Sequence, residues 1–406
     1  MTAVMQGVRV LEVAEHTFVP AASALLADWG AEIIKIEHVE RGDAMRGLAS
    51  SGLALFGTKV HVLLEHSNRG KKSLGLDLST DEGLAVLYKI AESCDVFLTN
   101  KLPGVRTKLK IDVDDIRAHN PDIIYVAGTG QGERGPDADK GSYDALGYWN
   151  RAGIAVAIQP EDASPPPPPA PAFGDSIGAM TIAGGIMGAL FHREKTGEAT
   201  TVDVSLLAVG MWSMGAAAAL SMQFEMPWSS VGMSSGYTGN PLVGTYATSD
   251  GRYVSLSCLQ AFRYWADACN LILEQPELAT DERFGSHENL TANANEATDL
   301  VRAAFATKDL ETWRQRLEVF TGQWTAVQNT LEAVDDRQSV ANGYVSDCAT
   351  KEGEPFRLIT APVQYGGVPA QPGRAPEFNE HGDDILQAAG FDMDAIIDLK
   401  VKGVVA

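Results

Sequence analysis

The sequence predicts an α/β protein whose larger part is a parallel sheet with helices on both faces. Its 406 residues exceed the roughly 100–200 that one domain usually has, and its composition, 45% hydrophobic and 21% charged, is that of a globular protein. In the first third of the chain, short β-branched runs alternate with helix-length stretches. Parallel strands need crossover connections, so strands separated by helix-length spacers indicate this kind of sheet.

The elements of the first third follow one another in this order. Residues 8–13 predict a buried strand, 21–29 a helix that Gly30 ends, and 31–37 a second strand. Further strands are predicted at 73–78, 96–99 and 122–127, with a helix at about 80–94. Ligands of such sheets bind at the carboxyl ends of the strands, so the segments of interest are 14–20, 38–46, 100–106 and 128–144.

The middle and the end of the chain predict a second domain. The proline run 165–169 predicts an extended arm, either a rigid connector or a docking site, and helices are expected at 176–193 and 203–218. A loop and domain boundary is placed at 223–244, a hairpin around Asp250-Gly251, and a closing helix at 383–399. We therefore expect a large domain from 1–222, a small domain from 223–333, and a return to the large domain in 334–406.

Charge and local motifs exclude several classes of protein. The chain has 32 Lys and Arg against 53 Asp and Glu, and its net charge of -21 argues against binding to nucleic acid or to anionic membranes. The apolar stretches 178–190 and 206–220 fall short of the roughly 18 residues of a membrane span, and the N-terminus lacks the pattern of a signal peptide. The four cysteines and eight histidines form no metal-binding or redox motif. A cytoplasmic protein with reduced thiols and no metal is expected.

Asp175 is the most informative candidate for chemistry. It lies in Phe173-Gly174-Asp175-Ser176, at the predicted start of a helix rich in small residues. A carboxylate there can cap free backbone amides and gain from the helix dipole. Alternatively, the neighbouring glycine leaves it open to a substrate carbonyl, which a carboxylate can attack as a covalent nucleophile. The residues alone leave both interpretations open.

Three other segments carry weaker signals. Tyr143-Asp144 belongs to a loop expected at the top of the sheet, where a tyrosine is either packing or part of a site. The Asn100-Lys101 segment is a turn or a ligand contact. The basic cluster 68–72 is either a solvated turn or a site for a phosphorylated ligand.

Taken in order and spacing, these segments resemble the family III CoA-transferases of CaiB/BaiF type, which include carnitine and bile-acid CoA-transferases and α-methylacyl-CoA racemase. The resemblance extends over nearly the whole chain. The segments that carry it are 7–12, 26–37, Gly42-Asp43, 68–74, 76–78, Asn100, Asn120-Pro121, Gly174-Asp175, 193–197, 202–206, Ala375-Pro376 and His381.

The resemblance implies a fold and a reaction. The fold is a Rossmann-like large domain built from both ends of the chain, a smaller α+β domain from its middle, and an interlocked homodimer. The substrates are an acyl-CoA donor and a carboxylate acceptor, with CoA thioester as cosubstrate and no tightly bound cofactor. Asp175 matches the aspartate that forms a mixed anhydride with the donor acyl group and then an aspartyl-CoA thioester.

The resemblance also assigns binding and supporting residues. In the family, the positions that touch CoA match His16, Leu76, Asn100, Lys101 and Lys108. His38 stands where many members have a basic residue after the second strand. The resemblance therefore assigns the missing positive charge to Lys71 and Lys72. Tyr143 and Asp144 accompany the nucleophile, and Thr17 replaces a glutamine found in some transferases. Gly236 and Gly239 match a glycine-rich loop that shields the intermediates, and Gln260 stands where a glutamate is expected.

Two alternatives to transfer follow from the same family. A racemase of this group uses a histidine where Tyr143 stands, so proton exchange at an α-carbon lacks one of its two groups here. The other alternative is a CoA-binding protein without catalysis. Transfer is favoured because Gly174-Asp175 keeps a candidate nucleophile in place.

Overall fold

The chain is represented by a computed structural model that describes residues 3–50, 59–160, 165–230 and 237–406. Its contacts divide it into two compact units. The larger unit consists of Met1–Ala155, Pro167–Met226 and Arg337–Ala406, and the smaller one of Val156–Pro166 and Pro227–Asp336. The predicted division placed residues 156–166 in the large domain, whereas their contacts assign them to the smaller unit.

The larger unit is built on a parallel sheet, as the sequence predicts, and the sheet has six strands, one more than the five predicted. Its strand order is β3-β2-β1-β4-β5-β6, so the central β1 has β2 on one side and β4 on the other, with Val10 opposite Ile33 and Val96. All five pairings are parallel. The strands are β1 Arg9–Val13, β2 Glu32–His38, β3 Lys72–Leu76, β4 Val96–Thr99, β5 Ile124–Thr129 and β6 Thr201–Ser205.

Helices connect these strands and fill the rest of the chain. In the larger unit they are α1 Phe18–Asp28, α2 Val62–Asn68, α3 Asp81–Ala91, α4 Pro103–Leu109, α5 Val113–Arg117, α6 Ile154–Ala157 (which ends in the smaller unit), α7 Phe173–Thr196, α8 Leu206–Ser213 and α9 Gly215–Phe224. The smaller unit contains α10 Ala261–Ala268, α11 His287–Ala292, α12 Ala294–Phe305, α13 Leu310–Leu317 and α14 Thr330–Asp335. The C-terminal part adds α15 Arg337–Ala341, α16 Gly382–Ala388 and α17 Met393–Val401. Short π-helices cover Ala145–Arg151 and Cys269–Leu273, and 3-10 turns cover Arg46–Ser50, Pro276–Ala279 and Tyr365–Gly367.

Both faces of the sheet are covered by apolar side chains, because alternate residues of each strand point to opposite faces. One face packs against α1, α7 and α8, and the other against α3, α5, α16 and α17. Val10 of β1 belongs to the first core and Leu11 to the second. The C-terminal segment closes the β3 edge, where the amide of Asp77 donates to the carbonyl of Val404.

Two predicted helices are wrong in part. The predicted helix 203–218 begins instead with β6, and Ser205 then caps α8 by accepting from the amide of Ala208. A second break at Met214 separates α8 from α9. The predicted closing helix 383–399 is two helices, because Gly390 between α16 and α17 has a φ of 95°, a conformation that favours glycine.

Helix α7 is longer than the apolar run that the sequence indicates. Among the described residues it is the one helix whose length and composition would let it cross a membrane, and the bent pair α8 and α9 passes the same test when counted together. Ile182, Ala183 and Ile186 of α7 are fully buried in the core beneath the sheet, beside α1. These three residues therefore belong to the apolar core of the larger unit.

The smaller unit has its own sheet and core, and its architecture is α+β. Its antiparallel strands are β7 Val243–Ala247, β8 Tyr253–Ser257 and β9 Trp324–Ala326, in the order β7-β8-β9. The predicted hairpin around Asp250-Gly251 is confirmed as the β7–β8 connection. Trp265 and Trp313 are the largest fully buried side chains of its core. A further antiparallel pair, β10 Val345–Ala349 and β11 Pro355–Ile359, belongs to the larger unit.

Candidate active site

A cavity of about 360 Å³ opens at the carboxyl edge of the parallel sheet, in the larger unit. Its walls come from the segments that follow β1, β4 and β5, from the loop before the first π-helix, and from the first turn of α7. Three of the four segments selected from the sequence therefore meet here, and 38–46 does not line the cavity. The polar or titratable lining residues include Glu15, His16, Asn100, Lys101, Thr129, Ser142, Tyr143 and Asp175.

Asp175 faces this cavity from the third residue of α7, and another carboxylate performs the capping that its position suggests. The amide of Gly174 donates to Oδ2 of Asp144 at 3.3 Å, a bond that joins residues 30 positions apart. The Asp144 carboxylate also accepts from the amide of Ala145 at 2.7 Å. No hydrogen bond to the Asp175 carboxylate is formed within the described part of the chain. Of the two interpretations of Asp175, the arrangement therefore favours the open carboxylate over the cap.

The surroundings of Asp175 disfavour its charged form. Burial, and to a lesser degree the nearby charge of Asp144, raises the pKa of Asp175 from 3.8 to about 7. Burial also raises the pKa of Asp144, against the hydrogen bonds that it accepts from the amides of α7. A half-buried carboxylate without hydrogen bonds keeps its lone pairs free, and a pKa near 7 makes it a stronger base and nucleophile than a solvated carboxylate.

Close helix packing holds the first turn of α7 in place. A Cβ on Gly174 would lie 2.5 Å from Cγ of Tyr148, and a Cβ on Gly178 would lie 2.3 Å from Cε2 of Phe18. Both positions therefore require glycine. Phe18 itself lines the cavity, so the contact with Gly178 joins the wall of the cavity to the helix that carries Asp175.

The loop after β1 brings His16 to the cavity in an unusual backbone conformation. His16 has a φ of 69°, and its amide donates to Oδ1 of the buried Asp43 at 2.9 Å. Its ring meets the ring of Tyr143 edge to face at 5.4 Å between centroids. Tyr143 is 59% exposed and lines the cavity, whereas the predicted residue Thr17 is buried at the start of α1 and does not line it.

Glu15 is a cavity residue that the sequence analysis did not single out. Its carboxylate Oε2 lies 2.5 Å from Nζ of Lys101. Asn100 joins the two segments by two hydrogen bonds, accepting from the amide of Glu15 at 3.2 Å and donating to its carbonyl at 2.7 Å. The signal that could have identified it is its position directly after β1, within the segment 14–20.

Lys71 does not provide a free positive charge, which corrects its predicted role as a CoA contact. Its ammonium is fully buried and donates to Glu12 at 2.8 Å, to the carbonyl of Pro20 at 2.8 Å and to Asn68 at 3.1 Å. Burial lowers the pKa of Lys71 to about 7, against the attraction of Glu12. Glu12 also pairs with the fully buried Lys35 at 2.7 Å. The cluster is part of the core, and the solvated-turn interpretation of 68–72 is wrong as well.

Other predicted CoA contacts lie apart from the cavity lining. Lys72 is at the amino end of β3, the edge opposite the cavity, where it pairs with Glu32 at 2.6 Å. Leu76 is buried in the core at the carboxyl end of β3. His38 at the end of β2 and Lys108 on α4 are exposed and do not line the cavity. The structure therefore brings His16, Asn100 and Lys101 together with Asp175 and Tyr143, but not these four.

Two of the predicted residues that the structure describes belong to the smaller unit. Gly239 is exposed and has a φ of 74°, and Gln260 is exposed at the start of α10. Gly236 lies outside the described residues.

The described residues contain no group of three or more histidine, cysteine or acidic side chains arranged to hold a metal ion. All four cysteines are unpaired, and three of them are buried.

Comparison with known proteins covers nearly the whole chain. The sequence profile of CoA-transferase family III matches residues 5–382. (R)-2-hydroxy-4-methylpentanoate CoA-transferase of Clostridioides difficile is 28% identical over 405 residues, which is 99% of each chain. Succinyl-CoA:mesaconate CoA-transferase of Haloarcula marismortui is 28% identical over 416 residues, 96% of this chain and 97% of the relative. The crystal structure of a CaiB/BaiF family protein from Brucella suis is similar with a TM-score of 0.78 at 26% identity, covering 96% of this chain and 100% of that one.

Proposed function

The chain belongs to CoA-transferase family III and is an enzyme, and from this premise we propose that it transfers CoA from an acyl-CoA to a carboxylic acid through Asp175. The observation that carries the proposal is the Asp175 carboxylate itself. It faces the cavity without a hydrogen bond from the described residues, and its pKa is raised to about 7.

The proposed reaction divides one transfer into four balanced steps. An Asp175 oxygen attacks the thioester carbonyl and the C–S bond breaks. This step releases CoA thiolate and forms a mixed anhydride between Asp175 and the donor acyl group. The thiolate attacks the Asp175 carbonyl of that anhydride and releases the donor acid as a carboxylate, which leaves an aspartyl-CoA thioester. The acceptor carboxylate attacks this thioester and expels the thiolate, which forms a second mixed anhydride between Asp175 and the acceptor. The thiolate finally attacks the acceptor's acyl carbon, which gives the acceptor's CoA thioester and frees the Asp175 carboxylate. Holding each partner in the cavity favours recapture of the thiolate over hydrolysis.

We assign the pantetheine arm of CoA to the cavity beside Asp175. Its volume of about 360 Å³ is at the small end of ligand pockets, which suits the arm and a short acyl group rather than the whole of CoA. His16 and Asn100 are in place to contact the arm. The exposed His38 and Lys108, at the same edge of the sheet, remain candidates for its phosphates.

The wider assembly is part of the proposal. An interlocked homodimer would cover apolar side chains that the single chain leaves exposed on α8 and α9, such as Trp212 at 86% and Met222 at 75%. The loop of Gly236 and Gly239 is proposed as a cover for the intermediates and Gln260 as a supporting group. We place the enzyme in the cytoplasm with its thiols reduced.

Trapping during turnover tests the proposal. Purified protein is mixed with an acyl-CoA and hydroxylamine, which converts an activated aspartyl group to a hydroxamate, and the modified residue is located by peptide mass spectrometry. Asp175 should be the labelled residue, and only when acyl-CoA is present. Asp175→Asn should lose both label and transfer, whereas Asp114→Asn, an exposed carboxylate in the first turn of α5, should keep both. Unchanged transfer by Asp175→Asn would disprove the mechanism.

The relatives leave the acids unspecified. One is named for (R)-2-hydroxy-4-methylpentanoate and another for succinyl-CoA and mesaconate, at the same 28% identity. The charges and the size of the cavity of this chain are therefore the observations that bear on its substrate class.

A further inference from the structure

The charges around the cavity bear on which acids it can accept. Among the described residues that line it, Lys101 is the one lysine or arginine, and Glu15 already pairs with it. We propose that Glu15 is a specificity-determining residue that restricts the enzyme to monocarboxylic acids with an uncharged chain and disfavours dicarboxylic acids. The inference rests on the proposed function, because it concerns the acids that react through Asp175.

The pair of Glu15 and Lys101 is held in place from both sides. The side chains are 21% and 22% exposed, so they are shielded more than an ordinary surface ion pair. The two hydrogen bonds between Asn100 and the backbone of Glu15 fix the two loop segments to each other. The amide of Lys101 also donates to Oγ1 of Thr99 at 3.1 Å, which fixes the backbone from which the Lys101 side chain extends. The positive charge is therefore neutralised before any substrate enters.

The remaining charges in this region are negative. Asp175 faces the cavity, and Asp144 lies behind it at the start of α7. A second carboxylate on the substrate would approach these groups, while Lys101, the one lysine or arginine among the described lining residues, is engaged by Glu15. A carboxylate that leaves water without a partner loses a large hydration energy, which an uncharged chain does not. Apolar lining side chains suit such a chain; they are Phe18, Leu102, Val105 and Leu206.

The cavity is small enough that the charge of Glu15 acts on the second carboxylate of any short dicarboxylic acid bound there. A volume of 360 Å³ corresponds to about 9 Å across if the cavity is spherical, and charges at that separation lie within about one Debye length of each other in physiological salt. The far end of a four- or five-carbon acid joined to Asp175 is therefore within the field of Glu15. Removing the Glu15 charge should release Lys101 to bind that end.

A competition between matched acids tests the proposal. The wild-type enzyme is given butyryl-CoA as donor with equal concentrations of pentanoate and glutarate, which have five carbons each, and the acyl-CoA products are measured by mass spectrometry. Pentanoyl-CoA should exceed glutaryl-CoA at least about 10-fold, as expected for one unfavourable charge contact. Glu15→Gln should lower that ratio about 10-fold, because it frees Lys101. Lys101→Met should raise it, because Glu15 is left unpaired.

The control and the outcomes separate this inference from the proposed function. Glu92→Gln removes the same kind of charge from an exposed pair with Lys89 after α3, remote from the cavity, and should leave the ratio unchanged. Glutaryl-CoA formed as readily as pentanoyl-CoA by the wild type would overturn the inference and leave transfer through Asp175 standing. An unchanged ratio in both cavity variants would overturn it as well. Absence of any product, together with absence of the hydroxamate at Asp175, would refute the proposed function.

Discussion

Replacing Asp175 by asparagine is expected to stabilise the fold at pH 8 while it abolishes transfer. The carboxylate is kept in surroundings that raise its pKa from 3.8 to about 7. The folded state therefore holds this proton more tightly than the unfolded chain does, and the stability of the fold falls as the pH rises through that window. By linkage the surroundings of this carboxyl group cost the fold about 4 kcal/mol at pH 8, where the group is ionised, and about 2 kcal/mol at pH 5, where the folded state holds it protonated. Asparagine has nearly the same shape and carries no charge.

Thermal unfolding at the two pH values measures this effect. With an unfolding entropy of about 2.1 cal/mol/K per residue, 4 kcal/mol corresponds to about 5 °C for a chain of this length. Asp175→Asn should therefore raise the melting temperature by about 5 °C at pH 8 and by about 2 °C at pH 5. Asp114→Asn serves as control and should show no such dependence on pH. A gain that is equal at both pH values, or a loss at pH 8, would refute the reasoning about the Asp175 charge.

Three further predictions address the groups around Asp175. Asp144→Asn removes a neighbouring charge while keeping an oxygen to cap α7, so the pKa of Asp175 should fall. In a plot of kcat/KM against pH, the acid limb should then move down by about half to one pH unit. An unmoved limb would contradict this. Gly178→Ala introduces a Cβ for which there is no space, and it should lower the free energy of unfolding, measured by chemical denaturation, by about 1–3 kcal/mol. In the control Gly184→Ala, on the same helix, the new Cβ meets nothing within 4 Å, so this free energy should be unchanged or higher. Lys71→Met should cost about 3–5 kcal/mol in the same assay, because the buried carboxylates of Glu12 and Asp43 are then left to share the ammonium of Lys35, with an excess of one negative charge; an unchanged stability would contradict this.

The parallel sheet was predictable because its inner strands are short runs rich in β-branched and other apolar residues, and most of their residues are buried. β4 was predicted at 96–99 and is found at Val96–Thr99, where all four residues are buried. β6 was missed because it is an edge strand: Thr201 and Asp203 are exposed, and only its last two residues are buried. Its pattern therefore merges with the apolar helix that follows.

The location of the site was also predictable, since the rule that ligands bind at the carboxyl ends of parallel strands depends on topology alone. The roles of individual charges were not. Lys71 is neutralised by Glu12, which lies 59 positions earlier, and nothing in the local basic cluster indicates that partner. Glu15 was overlooked for the same reason, because Lys101 is separated from it by 86 positions.

The capping of α7 explains how a carboxylate can remain reactive at a helix start. An aspartate in the first turn ordinarily binds the free amides, which lowers its pKa and occupies its lone pairs. Here Asp144, which belongs to another loop, accepts the hydrogen bond from the amide of Gly174. Burial and the like charge of Asp144 therefore raise the pKa of Asp175, and no hydrogen bond from the described residues compensates for them. The glycine at 174 makes this division possible, since a side chain there would collide with Tyr148 and push the helix start away from Asp144. The proposed nucleophile and the cap of α7 are thus two separate carboxylates, and the proposed reactivity of Asp175 depends on the position of Asp144.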